Sequence, residues 1–274
     1  MGTTWTLANE YPATTLPAQA DAYFALRVGE LTGGRITVTP YFDATLGITA
    51  GEHLAAVASG RTPIASTFGG VLGATEPIFF LSTLPFLTAV ADDAKQLFDL
   101  SRLQYESAFE RHNQRLLYVS PWLPAGLWAK EAITTLDALK RQRIRTYDET
   151  SARLFASLGA QSLTTSFADA LPRIASEDIT AVLSSGDGGA GPRLWQHLAH
   201  FTEINYAIPL SFAALNLGAW KALDDSDQRA VSLAATATTE RQWQQMIGRV
   251  ETNHRTMREH RVAITTTLPD RRAA

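Results

Sequence analysis

Apolar positions along the chain fall into short alternating runs separated by stretches of helical spacing. Trp5-Thr6-Leu7-Ala8 alternates in the strand manner, and from about Pro17 to Thr32 the residues Ala20, Phe24, Val28 and Leu31 recur at helical spacing until Gly33-Gly34. Ile36 to Tyr41 predicts a second strand, Gly51 to Ser59 a short helix, and Thr62 to Phe68 a third strand ending at Gly69-Gly70. This βαβαβ order marks an open α/β unit.

An apolar stretch through Leu81 to Leu87 precedes a predicted helix from about Asp92 to Asn113 and the strand Arg115 to Ser120, which stops at Pro121. There the chain is expected to change lobe. The second series runs through Gly126 to Lys130, a helix start at Thr135-Leu136-Asp137, the strand Arg143 to Thr146, and a helix from about Thr150 to Leu158. It continues with Gln161 to Thr165, a helix near Asp169 to Ser176, the strand Ile179 to Leu183, a Gly-rich segment, and a helix carrying Trp195 and Leu198. Phe201 to Leu217 is strand-rich and is expected to recross to the first lobe. Asp224 to Asp227 then caps a polar helix of nearly forty residues reaching about His260. The expected division is residues 1–121 with 208–245 for lobe I, and 122–207 with 246–274 for lobe II. A hinge and a central cleft follow, with the long helix lying across both lobes.

With 274 residues, 45% hydrophobic and 19% charged, the chain has a globular balance and exceeds the length at which a single core usually stops growing. A net charge of -3 supplies no basic surface for nucleic acid, so that partner is excluded. The absence of cysteine removes disulfides, thiolate catalysis and the common zinc sites. No apolar run reaches the roughly 18 residues that a spanning helix needs. The opening Met1-Gly2, placed directly before a core strand, fits a chain from which a signal peptide has been removed.

Gly186-Asp187-Gly188-Gly189-Ala190-Gly191 satisfies G-x-G-x-x-G between a strand and a helix. As a dinucleotide site it stands late and lacks an acidic ribose ligand on a following strand, and Pro192 reads as the first residue of a helix. The reading preferred is a flexible loop whose amides face the cleft, against a plain Gly-rich turn. The six histidines have no G-x-S-x-G partner for nucleophilic catalysis. His197 and His200 share a predicted helix face without a third ligand, so neither metal nor cofactor is expected. Arg145 alternates with Ile144 on a short strand whose end opens into a crevice, where a planar guanidinium suits bidentate binding of a carboxylate; a surface or salt-bridged arginine is the alternative. Aromatic residues gather near loop edges at Tyr11, Phe68, Trp122, Trp128, Phe167 and Trp195. They serve either as core or as an apolar box around a ligand body.

The order of motifs resembles the DctP-type solute-binding proteins of TRAP transporters over almost the whole chain. The residues that carry the likeness are Phe24-Ala25, Glu30-Leu31-Thr32-Gly33-Gly34-Arg35-Ile36, Leu46-Gly47, Gly60, Leu84-Pro85-Phe86-Leu87, Leu136 to Arg145, Leu158-Gly159-Ala160, Phe167-Ala168-Asp169, Ser184 and Trp220 with the long helix. The resemblance implies a two-lobed periplasmic-binding-protein-like α/β fold. It also implies a non-enzymatic, periplasmic receptor that delivers an organic acid to TRAP permease subunits. Arg145 falls on the family's carboxylate-binding arginine, and Phe167 and Ser184 fall on positions that border the ligand. Ser184 departs from the usual asparagine, Thr180-Ala181 replaces a common Asp-Gly, and Trp128 stands where a second arginine is often found.

One cation fewer and one indole more imply a ligand with one carboxylate and an apolar or aromatic body, a 2-oxo or 2-hydroxy acid. In the expected mechanism Arg145 binds the carboxylate, Glu10, Tyr11 and Phe68 supply first-lobe contacts, Trp128 and Phe167 sandwich the body, and the lobes close. A uronate is the alternative ligand, with Asp187, Glu10 and Asp148 as hydroxyl partners. A nucleotide-using α/β enzyme is the alternative of another class. Against the family's usual length, the end at Pro269 to Arg272 looks short.

Overall fold

The computed structural model describes residues 2–88 and 90–266, so the expectation placed on Pro269 to Arg272 lies outside the described residues. In chain order the first elements are β1 (Thr3–Asn9), α1 (Leu16–Leu31), β2 (Ile36–Tyr41), α2 (Ala50–Ala58), β3 (Ile64–Phe68), α3 (Gly69–Leu72), α4 (Ala91–Arg111) and β4 (Gln114–Pro121). Next come β5 (Ala125–Ala129), α5 (Leu136–Lys140), β6 (Arg143–Thr146), α6 (Glu149–Ser157), β7 (Gln161–Thr164), α7 (Phe167–Ala175), β8 (Ala181–Ser185), α8 (Gly186–Ala190) and β9 (His200–Glu203). The last are β10 (Leu210–Asn216), α9 (Leu217–Lys221), α10 (Asp225–Glu259) and β11 (Ala263–Thr266). Two compact α/β units result. One holds the chain to Ser82, Ala94–Pro121 and Leu210–Met246; the other holds Thr83–Asp93, Trp122–Pro209 and the chain from Ile247 onward.

The first unit is built on a five-stranded sheet of order β2-β1-β3-β10-β4, in which β2, β1 and β3 run parallel and β10 runs antiparallel to both neighbours. Its core packs Trp5, Leu7, Phe24, Val28, Ile36, Ile64 and Leu215 together. The register of β4 against β10 shifts at Ala213/Ala214, and this irregularity lets the consecutive residues Leu117 and Tyr118 both join that cluster. Helix α1 starts on Thr15, whose side chain accepts from the Ala18 N–H, and Pro17 occupies the first turn, where its missing N–H costs nothing. Leu31, expected on the buried stripe, is exposed instead, since the stripe ends at Val28.

The second unit has a six-stranded sheet of order β11-β9-β5-β8-β6-β7. One face packs Leu127, Ile144, Ala181, Leu183, Phe155 and Tyr206; the other packs Trp128, Val182, Phe201, Ile174, Leu194 and Met257. The fold class expected from the sequence, two α/β lobes with a long C-terminal helix, is the one observed, and α10 runs for 35 residues.

Two local expectations are corrected. The segment from Gly186 is no flexible loop but the short buried helix α8, begun by Ser185, whose side chain accepts from the Gly188 N–H at 3.0 Å. The helix expected around Trp195 and Leu198 is a single 3-10 turn over Leu194–Gln196, because Arg193 takes a positive φ of 54° right after Pro192.

The glycines of α8 are there for close approach. A Cβ on Gly189 would lie 2.4 Å from the Trp128 indole, and one on Gly188 would lie 2.5 Å from the Ser184 hydroxyl. Gly248, inside α10, has nothing within 4 Å of such an atom. Gly189→Ala is therefore expected to destabilise by about 2 kcal/mol through overpacking. Gly248→Ala is expected to stabilise by about 0.5–1 kcal/mol through the lower entropy of the unfolded chain. Urea unfolding of the two variants beside the parent checks both signs.

Candidate functional site

In the second unit the strand register places Leu163, Arg145, Val182, Trp128, Phe201 and Ile264 in one lateral row across all six strands. Residues paired this way project from the same face of a sheet, so Arg145 is the one charged side chain in a row of apolar ones. It is 6% exposed. Its Nε donates to the Thr165 carbonyl at 2.8 Å, and its guanidinium carbon lies 4.2 Å from the centre of the Phe167 ring. The Phe167 ring is held in turn by α7, whose N-terminus is fixed by the Ser166 hydroxyl accepting from the Asp169 N–H at 3.2 Å. One bond and one stacked face thus fix the plane of the fork, with a cation–π contribution of about 1 kcal/mol. The charge is also felt by the enclosed phenol of half-buried Tyr147. Burial, Asp148 and Tyr206 push that phenol well above its ordinary value, and Arg145 opposes them.

Sequence brought Arg145, Phe167 and Ser184 to one unit, and the structure places all three toward the ends of β6 and β8 and the start of α7, where ligands of open α/β sheets gather. Ser184 is 6% exposed, one residue before the cap of α8. Two other expectations of this unit are corrected. Trp128 is enclosed in the core, its Nε1 donating to the Ser185 carbonyl at 3.2 Å and its ring 5.2 Å from Phe201. Its faces are covered by protein, and it anchors the β8–α8 corner instead of sandwiching a ligand body. Asp187 turns its carboxylate to α10, accepting from Arg249 Nη2 at 2.7 Å and Nε at 2.9 Å and from Asn253 at 3.4 Å, so it ties α8 to that helix.

In the first unit Glu10 and Tyr11 follow the C-terminal end of β1, and Phe68 is the last residue of the neighbouring parallel strand β3. Glu10 accepts from the Ala50 N–H at 2.7 Å and so completes the N-terminus of α2, whose Thr49 is bonded by Glu52. Tyr11 donates its backbone N–H to Asn9 Oδ1 at 2.8 Å. Phe68, nearly buried, ends β3.

Beneath this edge lies a residue that sequence reading passed over. Asp21 is wholly buried on α1 and accepts from Asn9 Nδ2 at 2.6 Å and from the Tyr118 hydroxyl at 2.7 Å. Burial raises its carboxyl from 3.8 to about 7, against hydrogen bonds from Asn9, Tyr118 and Ser66 that lower it. The signal was present in the chain: Pro17, Asp21, Phe24 and Val28 share one helical face, and an aspartate there interrupts an apolar stripe.

Among the described residues no cluster of histidine and acidic side chains is arranged to hold a metal, and no helix is long and apolar enough to cross a membrane. His200 lies on β9 and His197 follows the 3-10 turn, so the helix face they were expected to share is absent.

Two mixed sheets in two α/β units, with a long C-terminal helix, make the fold of two-lobed solute receptors. The family model for bacterial extracellular solute-binding protein family 7, DctP, matches residues 7–274, and the chain belongs to that family. It is an extracytoplasmic receptor family of transport, not of catalysis, and the nucleotide-enzyme alternative falls with that finding and with the packed α8. Among solved structures, DctP6 of Bordetella pertussis, a receptor binding pyroglutamic acid, is 25% identical with a TM-score of 0.91, covering 96% of this chain and 87% of that one. A marine metagenome TRAP solute-binding protein specific for pyroglutamate is 23% identical, TM-score 0.92, covering 98% and 88%. One from Chromohalobacter salexigens with bound d-glucuronate is 18% identical, TM-score 0.89, covering 96% and 88%. No curated protein sequence matches.

The Asp21 carboxyl generates a test of stability. Its folded value near 7 stands above the unfolded 3.8, so its contribution is fully present below pH 3.8 and is lost as pH rises toward 7. The melting midpoint of the parent relative to Asp21→Asn is expected to fall between pH 4 and pH 7 and to level off above; a flat difference contradicts the raised value.

Proposed function

We propose that this chain binds a small organic monocarboxylate with a compact, largely apolar body and delivers it to TRAP permease subunits. The observation that carries the reading is Arg145, set as the single cation in the apolar row of the second sheet and held in plane by the Thr165 carbonyl and the Phe167 ring. A guanidinium so oriented suits two parallel charge-assisted bonds to a carboxylate. Trp128, which stands where the family resemblance implies a second arginine, adds no second charge to the row. Ser184 is proposed as a neutral hydrogen-bonding contact to the ligand, and Phe167 as a contact to its body. Glu10, Tyr11 and Phe68 are proposed as contacts from the first unit.

Pyroglutamate, the ligand of the 25% identical receptor, is a ring with one carboxylate and fits this description. The sugar-acid reading is less well supported. It needs Asp187 among its hydroxyl partners, and that carboxylate holds Arg249 and Asn253.

Calorimetric titration with pyroglutamate, an aromatic 2-oxo acid and glucuronate tests the proposal. Binding of a monocarboxylate is expected, weakened by about 2–4 kcal/mol, or about 30- to 1000-fold, in Arg145→Ala. Arg145→Lys is expected to restore only part of it, since an ammonium lacks the fork. Undiminished affinity in Arg145→Ala, or a response to glucuronate alone, contradicts the reading.

A further inference from the structure

Register in the first sheet aligns Asn9, Ser66, Ala213 and Tyr118 in one row across β1, β3, β10 and β4. Asp21 lies against this row from α1, bonded to Asn9 and Tyr118 at 2.6 and 2.7 Å. Asn9 is the joint of the arrangement. Its Nδ2 donates to Asp21 Oδ2, so its Oδ1 must face the other way, where it accepts from the Tyr11 N–H at 2.8 Å. Its backbone carbonyl accepts from the Ala44 N–H at 3.1 Å, and the Tyr11 carbonyl accepts from the Asp43 N–H at 3.2 Å. Asp43 and Ala44 both take positive φ, 54° and 52°, a conformation that these bonds hold in place. A reversed Asn9 amide would set a donor against the Tyr11 N–H, so the acceptor on α1 selects the amide orientation that receives the Tyr11 backbone.

We propose that Asp21 is a positioning residue which, through the side-chain amide of Asn9, sets the Glu10–Tyr11 segment after β1, and that gain or loss of its proton changes the hold on that segment. The ionised carboxylate accepts from Asn9, Tyr118 and Ser66 together. The neutral acid carries an O–H and accepts less strongly. The hydroxyls of Tyr118 and Ser66 adapt by rotating, whereas the amide of Asn9 is fixed at both ends and transmits the change to Tyr11.

The balance lies in the neutral range, burial having raised this carboxyl to about 7. Among the described residues the titratable group facing Asp21 is Tyr118, whose phenol is held well above its ordinary value by burial and by Asp21 itself. Glu10 is turned to the Ala50 N–H. His53, behind β3, bonds Thr67, and burial holds it down at about 4, so it stays neutral across the same range.

The consequence for ligand affinity rests on the function proposed above; the effect on Tyr11 does not, and the experiment separates them. In the ligand-free protein, the Tyr11 amide and the Asn9 side-chain amide are followed by nuclear magnetic resonance between pH 5 and 9. Both are expected to titrate together with a midpoint near 7. In Asp21→Asn, a neutral isostere of the protonated acid, both are expected to stay at their low-pH positions throughout. In Tyr118→Phe, which removes one donor to the carboxylate, the shared midpoint is expected to rise; this variant decides the matter if the first does not fold. A Tyr11 signal that is flat in the parent, or that titrates unchanged in these variants, overturns the proposal. With pyroglutamate as probe, parent affinity is expected to differ by about three- to tenfold between pH 6 and 8, the worth of one such hydrogen bond, and not to differ in Asp21→Asn. If the parent does not bind pyroglutamate at all, the ligand reading fails while the resonances still decide the role of Asp21.

Discussion

A guanidinium seated in a row of apolar side chains is costly, because taking a charge out of water costs several kcal/mol unless protein groups replace the lost solvation. Much of the second unit is arranged around that cost at Arg145. The Thr165 carbonyl supplies an acceptor and Phe167 a π face. The neighbouring places in the row are filled by Leu163 and Val182, and beyond Val182 comes fully buried Trp128. Trp128 is locked by its bond to the Ser185 carbonyl, and the glycines of α8 let that helix come down onto the indole and onto Ser184. A receptor for an organic anion needs this combination: a cation fixed in direction, and surroundings that make its attraction stronger than it is in water.

The first unit solves a related problem with the opposite sign. Asp21 intrudes on the buried stripe of α1, and three hydrogen-bond donors drawn from β1, β3 and β4 meet it. Such a network specifies one arrangement of its strands, since three donors from three strands converge on one carboxylate. Its nearest visible product is the loop after β1, where Asn9 receives the Tyr11 backbone and Glu10 completes α2. In both units the polar exception in an apolar surface lies beside the strand ends where ligand contacts are proposed.

The two-lobed α/β order was legible because strand alternation and helical spacing change along the chain at glycines and prolines, as at Gly33-Gly34 and Pro121. Where those signals misled, the reason was tertiary. Gly186 to Gly191 reads as a flexible loop by composition, yet it is helical because the glycines meet Trp128 and Ser184. Asp187 looked like a ligand contact, and its partners Arg249 and Asn253 lie over sixty residues away. Trp128 looked like a ligand face by its place in the motif, but its own row buries it. Asp21 was visible as a break in a stripe, although nothing in the sequence pairs it with Asn9 and Tyr118. Arg145 was a candidate by its strand position and took its role from the family resemblance; its stacking on Phe167 required the structure.

The central claim is that Arg145 receives the carboxylate of the bound solute, and a crystal structure of the protein loaded with pyroglutamate tests it most directly. The account predicts both carboxylate oxygens within hydrogen-bond distance of the Arg145 guanidinium, with the ring of Phe167 still stacked on it. A carboxylate bound by other groups, with Arg145 turned away from the ligand, would contradict it.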